Sequence, residues 1–481
     1  MYKAYITRIK NVRKHPNADR LQLGECFGNT VCVSLDYEDN MLGIYFPVDG
    51  QLSIPFAEAN NLLRKKDDAG NQVGGYLDPD KRNITAIRLR GEKSDGLFLP
   101  LSSLESFGDI TELKEGDCLS VFNGTEICCK YVPKTNKRVG AGNSSTKKKS
   151  KEPISPLFKE HIDTSQLAYN LGEFKPEDEI EVTLKMHGTS QRTGHLPVLK
   201  GYADSWHCKL RNWLWLNFNR LTHKKDLYST LNSFKHDGNP IYDWGYVSGT
   251  RRTVLEDFEG GYYGSNAFRE SHSKIFEGKL EKGETIYAEI VGFTDNGTPI
   301  MPSGNNRKIN DKEFLKKYGE TTVFSYGCSP EGKKLMFGRD DEGAFSIEEA
   351  RPQSDMYVYR MTFTNEDSYT IEYTPDFMRY RCEQMGVKCV PILDKFTIPS
   401  QKELESMGLS AGEYVKQRVD LYLDTEPDPI GKTHIKEGVV VRILNRPKFS
   451  AYKDKVFEFK VIEGIIKDTA DAPDMEEAES I

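Results

Sequence analysis

The residues best suited to chemistry are Lys185-Met186-His187-Gly188-Thr189-Ser190, directly after the run Ile180-Glu181-Val182-Thr183-Leu184. Successive side chains of a strand point to opposite faces. Ile180, Val182 and Leu184 therefore share an apolar face, and Glu181, Thr183 and Lys185 share a polar one. Such a strand sets one lysine at the rim of a cleft. Gly188 marks the turn that follows, where a missing Cβ lets the backbone approach a ligand closely. That is a setting for a nucleophilic lysine beside a phosphate.

The elements that must hold this lysine lie in a long mixed α/β segment, 161–467. Its strand-like runs are 181–185, 285–291, 356–364, 438–443 and 456–462. Within 206–227, Trp206, Leu210, Trp213 and Leu216 recur at helical spacing, which predicts a helix packing on the core. Its flanking Lys209, Arg211, Arg220, Lys224 and Lys225 keep nucleic-acid contact as a second reading. Ahead of this segment, 131–160 is expected to be a flexible basic linker; 134–151 holds seven Lys or Arg and no acid. Residues 1–130 carry short apolar runs broken by turns, such as 31–33, 43–46 and 96–99, and predict a small β-rich barrel or sandwich. The stretch 468–481 carries six carboxylates and reads as a disordered acidic tail.

At 481 residues the chain has room for two or three domains. Charged residues make up 29% and hydrophobic ones 37%, the balance of a soluble globular protein. The net charge of −7 does not by itself mark a nucleic-acid binder. Nine cysteines without a CxxC pair point to reduced thiols in a cytoplasmic or similar reducing compartment, and away from a disulfide framework or zinc ribbon. The start, MYKAYITRIK, has no apolar signal region, and no apolar run approaches membrane-spanning length. A monomer is expected. No internal repeat is present, and the charged stretch 303–355 suggests no role.

Two resemblances enter on these residues. His15-Pro16-Asn17-Ala18-Asp19-Arg20-Leu21 resembles the HPNAD-x-L signature of tRNA-binding-type OB-folds, and Ile87-Arg88-Leu89-Arg90-Gly91 with Ser94-Asp95-Gly96-Leu97 resembles a later strand and turn of that module. In the second segment, six stretches resemble motifs of the covalent nucleotidyltransferases, the ligase and capping-enzyme superfamily, in the expected order. They are Lys185 to Ser190 (motif I), Ser248-Gly249-Thr250-Arg251-Arg252 (Ia) and Tyr287-Ala288-Glu289-Ile290-Val291-Gly292 (III). Tyr357-Val358-Tyr359-Arg360 (IIIa), Glu437-Gly438-Val439-Val440-Val441-Arg442 (IV) and Lys453-Asp454-Lys455 (V) complete the series. The resemblance implies an α+β protein: an N-terminal OB-like β-barrel, then a mixed α/β nucleotidyltransferase domain with antiparallel sheets.

It also implies roles. Lys185 would form a lysyl–nucleotide phosphoramidate, Glu289 would hold the ribose, and Tyr359 would wall the base pocket. Glu437 would bind or orient a divalent metal, Mg²⁺ or Mn²⁺. Lys453 and Lys455 would contact the α-phosphate. Arg251 would contact phosphate or the RNA end, with Arg252 nearly as good a candidate. Gly188 would lie against the nucleotide, and His187 would hydrogen-bond it. The chemistry needs such residues. A lysine attacking phosphorus must be neutral, which near pH 7.4 costs about 4 kcal/mol from a free pKa of about 10.4. Nearby cations lower that cost and neutralise the phosphates as the bond forms. A hard metal wants a carboxylate oxygen.

His187 stands where most of the superfamily has Asp, and this resembles the Deinococcus-type RNA ligases, the RNA ligase 5 family. Ala288 replaces a usual Gly, and Tyr359-Arg360 a usual Phe and Asp. DNA ligases and capping enzymes place an OB-fold after motif V, but only 456–481 follow here, and the OB-like module is N-terminal. The expectation is therefore an ATP-dependent RNA ligase sealing 3′-hydroxyl/5′-phosphate nicks in duplex nucleic acid whose 3′-hydroxyl end is RNA. The alternatives are a DNA ligase or a capping guanylyltransferase of the same superfamily, or a non-catalytic RNA-binding protein.

Overall fold

The computed structural model describes residues 2–65, 74–132, 153–162, 164–222, 236–255, 258, 263–300, 303–305, 312–323, 326, 354–424, 426–431 and 434–469. The basic stretch 134–151, the acidic tail beyond 469 and most of 303–355 lie outside these residues.

Two antiparallel sheets organise the second region. The first runs in the order Ser165–Gln166, Ala451–Lys455, Gly438–Ile443, Glu179–Lys185, Ile392–Thr397, and only its first pair is parallel. The second runs Pro240–Gly249, Thr189–Tyr202, Glu284–Gly292, Ser354–Thr364, Thr370–Glu372, with Lys388–Cys389 added parallel to Ser354–Thr364. The chain crosses from one sheet to the other through Met186-His187-Gly188. A Cβ on Gly188 would stand 2.1 Å from the Ile290 carbonyl oxygen, so glycine is needed where the crossing meets the second sheet.

The alternation in 180–185 holds. Ile180, Val182 and Leu184 are buried, the first two in a core with Val439, Val441, Val415 and Val419. The second sheet packs Ile286, Ala288, Ile290, Val358 and Met361 against the helix Pro375–Met385. That helix starts at Thr374, whose side chain accepts a hydrogen bond from the Phe377 amide, and stops at Gly386 with φ 71.

Two expected elements come out differently. Residues 456–462 are not a strand but part of the helix Phe457–Thr469. Val-Phe-Glu-Phe-Lys can be read as alternation, yet Val456, Phe459 and Ile462 are buried at a spacing of three, which is a helical stripe. The helix Trp206–Thr222 forms as expected but does not pack on the core: among residues 206–217 only Cys208 is buried.

The N-terminal region is β-rich. A four-stranded sheet (Leu97–Pro100, Leu42–Phe46, Ala4–Arg8, Cys118–Leu119) and the three-stranded sheet Cys128–Lys130, Gly50–Leu52, Asn83–Ile84 surround a core of Ile6, Ile44, Phe46, Phe56 and Leu104. The three-stranded sheet Lys10–Lys14, Gln22–Cys26, Asn29–Val33 packs a second cluster with Cys26, Val31, Val33, Tyr45 and Phe98. Among the described residues no sheet closes on itself, so the architecture is that of packed small sheets. Its two sequence signatures meet. The Asn17 amide donates to His15 Nδ1 at 3.0 Å, so His15 Nε2 carries the proton and donates to the Leu89 carbonyl at 3.1 Å. Arg90 (φ 47) and Gly91 (φ 96) make the left-handed turn of the hairpin Ala86–Leu89/Glu92–Asp95. That hairpin docks on the C-terminal helix: Arg88 pairs with Glu458 at 2.8 Å and Lys460 with Asp95 at 2.7 Å.

Candidate active site

Strand register assembles the site. In the first sheet Lys185 lies opposite Gly438, which lies opposite Lys455; Thr183 opposes Val440, which opposes Lys453; Glu181 opposes Arg442, which opposes Ala451. Directly opposed residues share a face, so the Glu179–Lys185 strand and two consecutive strands far from it in sequence present one surface. A Cβ at Gly438 would fall 2.0 Å from the Asp454 carbonyl oxygen, so only glycine lets the motif IV strand lie this close. From the second sheet Ser190 opposes Glu289, and Tyr359 sits where the register slips between Tyr287 and Ala288. This β-bulge re-aims the ring.

Between the sheets lies a cleft. Lys185, Gly188, Arg251, Glu289, Tyr359 and Lys453 all line it. Five lining residues are cations (Lys185, Arg251, Arg379, Arg442, Lys453) and two are acids (Glu181, Glu289), so the surface suits an anionic ligand. Burial, and then the Glu289 carboxylate, push the Tyr359 phenol up. Arg251 lies in the cleft while Arg252 is exposed, which separates two residues that the sequence left nearly equal.

At the end of the lysine strand is an ion-pair chain. Lys185 Nζ is 2.8 Å from Glu437 Oε1, and Lys455 Nζ is 3.0 Å from the same oxygen. Lys455 also pairs with Glu463 at 2.9 Å, a residue of the C-terminal helix. Glu437 is 4% exposed. One buried carboxylate thus faces two lysines. Its hard oxygen suits Mg²⁺ or Mn²⁺, and a single protein carboxylate fits an ion that keeps its water and phosphate ligands.

His187 is placed elsewhere. Its ring is 2% exposed and lies 5.0 Å from Tyr326, 4.6 Å from His434 and 5.3 Å from Phe459, centroid to centroid, while Met186 and Gly188 on either side line the cleft. Tyr326 donates to Asp428 at 2.7 Å, and burial lowers the His434 pKa to about 4. The motif histidine thus belongs to a packed aromatic and polar cluster behind the lysine.

Three further residues carry no motif or spacing that marks them in the chain. His161 lines the cleft, with its ring 5.2 Å from Tyr359 and its amide donating to the Arg251 carbonyl at 3.2 Å. Arg192, 1% exposed, ties that segment to the motif Ia loop. It donates to the carbonyls of Thr250 (2.9 Å), Phe158 (3.3 Å), Arg252 (3.3 Å) and Lys159, and lies over the Phe158 ring. Glu463 is the third. A buried arginine at a strand position leaves no spacing signal, because its partners are backbone carbonyls that any sequence supplies.

Comparison with protein-family models and with curated proteins finds no match. Solved structures do match in fold. A complex of Naegleria gruberi RNA ligase with pyrophosphate has a TM-score of 0.50 at 15% identity, covering 98% of this chain and 99% of that one. A lysine-to-alanine mutant of the same ligase with ATP and Mn has a TM-score of 0.50 at 16% identity, over 95% and 97%. A lysine-to-methionine mutant with AMP and Mn has 0.50 at 15%, over 95% and 97%. At such identity the likeness is one of fold, and it extends over nearly the whole of both chains: the mixed, antiparallel-sheet architecture around this cleft is similar to that of an RNA ligase.

Proposed function

We propose that the protein is an ATP-dependent RNA ligase acting through a lysyl–AMP intermediate. The observation that carries this reading is Lys185. It stands at the end of a strand inside a cationic cleft, paired with the buried Glu437 and flanked by the lysines of the motif V strand. The fold's likeness to RNA ligase structures holding ATP, AMP and Mn supports the same reading.

In this reading Lys185 Nζ loses its proton and attacks the α-phosphorus of ATP. A P–N bond forms, the bond to the bridging oxygen breaks, and pyrophosphate leaves. The adenylyl group passes to a 5′-phosphate end, and a 3′-hydroxyl, RNA in this proposal, attacks that end and releases AMP. Lys453, Lys455 and Arg251 neutralise phosphate charge as the bond forms. Glu289 accepts from the ribose, and the Tyr359 ring and Val440 enclose the base. Glu437 would hold a divalent cation, which supplies further charge neutralisation at the phosphates. Most of the catalysis is then positioning and electrostatics. The N-terminal module, proposed to be OB-like, grips duplex nucleic acid around the nick, as in the Deinococcus-type RNA ligases. The protein works as a monomer in a reducing compartment such as the cytoplasm. The described cysteines are free, and among the described residues no helix is long and apolar enough to cross a membrane.

The test is self-labelling. Purified protein is incubated with a divalent metal and ATP or GTP labelled on the α-phosphate, denatured, and examined for bound label beside Lys185→Ala. An ATP-specific adduct that needs Lys185 is expected. An adduct with GTP alone would mean a capping-type guanylyltransferase, and no adduct with either would leave an RNA-binding protein.

A further inference from the structure

The helix Trp206–Thr222 joins the two strands of the hairpin Thr189–Tyr202/Pro240–Gly249 at the end away from Lys185. It exposes what a core helix hides: Trp206 is 66% exposed, Trp213 59%, Leu214 54%, Trp215 49% and Leu210 46%. At about 100° per residue, Trp206, Leu210, Trp213 and Leu214 fall within an arc of about 100°. Lys209 and Arg211, both exposed, flank that stripe on its two sides, and Trp215 lies beyond Arg211. Trp206, His207, Leu210, Arg211, Leu214 and Trp215 together line a surface hollow on this helix. From Trp206 to Lys225 the chain carries five Lys or Arg and no Asp or Glu.

We propose that this helix binds an unpaired strand of the nucleic-acid substrate, with bases stacked on the tryptophans and phosphates held by Lys209 and Arg211. The inference rests on the ligase reading above and adds a second contact site to it. Charge selects the occupant. An all-cationic helix repels a second copy of itself and attracts a polyanion. The aromatic faces select within polyanions, because a duplex keeps its base faces stacked inside, whereas an unpaired strand offers them. Trp215 on the far side of the stripe fits a strand wrapping the helix better than a flat membrane surface, which takes apolar side chains from one face only. At about 3.3 Å per residue, the strand Thr189–Tyr202 sets the helix roughly 40 Å from the cleft, on the order of ten nucleotides along a strand at about 3.4 Å each.

Three of the four tryptophans of the chain lie on this helix, so intrinsic fluorescence reports on it directly. Full-length protein is titrated with a single-stranded oligoribonucleotide of about twenty nucleotides, a blunt RNA duplex, and phosphatidylserine vesicles. Saturable quenching by the single strand, weakened by salt, is expected, and Trp213→Ala should bind that strand roughly tenfold more weakly. Quenching by vesicles alone, equal quenching by the blunt duplex, or unchanged affinity in Trp213→Ala would each overturn the proposal. ATP self-labelling of the wild-type protein is measured alongside. A labelled protein without quenching refutes the strand site and keeps the ligase, whereas an unlabelled protein refutes the ligase reading itself.

Discussion

Replacing Glu437 should damage both stability and activity, in a way that replacing Lys185 does not. Glu437 Oε1 lies 2.8 Å from Lys185 Nζ and 3.0 Å from Lys455 Nζ, and the three side chains are 5%, 14% and 13% exposed. At these separations each attraction is gross about 5–6 kcal/mol for an effective dielectric of about 20. Most of this offsets desolvation, but removing one partner of a buried pair leaves a net cost of about 3–5 kcal/mol. Glu437→Gln leaves two largely buried ammonium groups facing an amide. Lys185→Met removes one cation and leaves Glu437 paired with Lys455, so its cost should be within about 1 kcal/mol. Thermal unfolding of both variants beside wild type, with ATP self-labelling, checks the difference. At roughly 2–4 °C per kcal/mol for a large domain, Glu437→Gln should melt about 10 °C lower, with Lys185→Met near wild type. Both should fail to label. A Glu437→Gln protein that melts like wild type and labels at the wild-type rate would refute the argument that this carboxylate organises the lysines.

Other outcomes follow from the same geometry. Gly438→Ala places a Cβ 2.0 Å from the Asp454 carbonyl oxygen, so it should part the motif IV and V strands and abolish self-labelling. Arg192→Met removes the donors that tie Phe158 and Lys159 to Thr250 and Arg252. It should raise the KM for ATP and slow strand joining through misplacement of Arg251, with Arg192→Lys restoring part of the joining rate. Burial lowers the pKa of His272 and His434 from 6.5 to about 4. The unfolded chain therefore binds more protons between these values, and stability falls as pH drops from 6.5 to 4, by about 3 kcal/mol per ring, and does not change above 6.5 on their account. Urea unfolding at pH 7.5, 6 and 5 measures the slope, which His434→Gln should flatten by about 1.4 kcal/mol per pH unit.

Local alternation and motif order were legible in the chain because they depend on neighbours. The burial of Ile180, Val182 and Leu184, the cleft-facing Lys185, and the turn at Gly188 all follow from a period of two and a missing Cβ. Glycine at 188 proved necessary for a different reason, the approach of the Ile290 carbonyl oxygen. The strand expected at 456–462 failed because a short apolar run fits both periods, and only the packing of Val456, Phe459 and Ile462 into one core selects the helix.

The sequence by itself determined which residue types stand at Lys185, Glu289, Tyr359, Glu437, Lys453 and Lys455, and the strands that carry them. Only the tertiary structure decided which of them meet. Strand register brings positions 185, 438 and 455 into one row, although position 185 lies far from the other two in the chain. The fold turned His187 into a buried cluster, chose Arg251 over Arg252, and recruited His161, Arg192 and Glu463, whose partners are set by packing and backbone carbonyls. It also left the tryptophans of Trp206–Thr222 in solvent, because helical periodicity fixes which side chains share a face but not whether anything lies against that face.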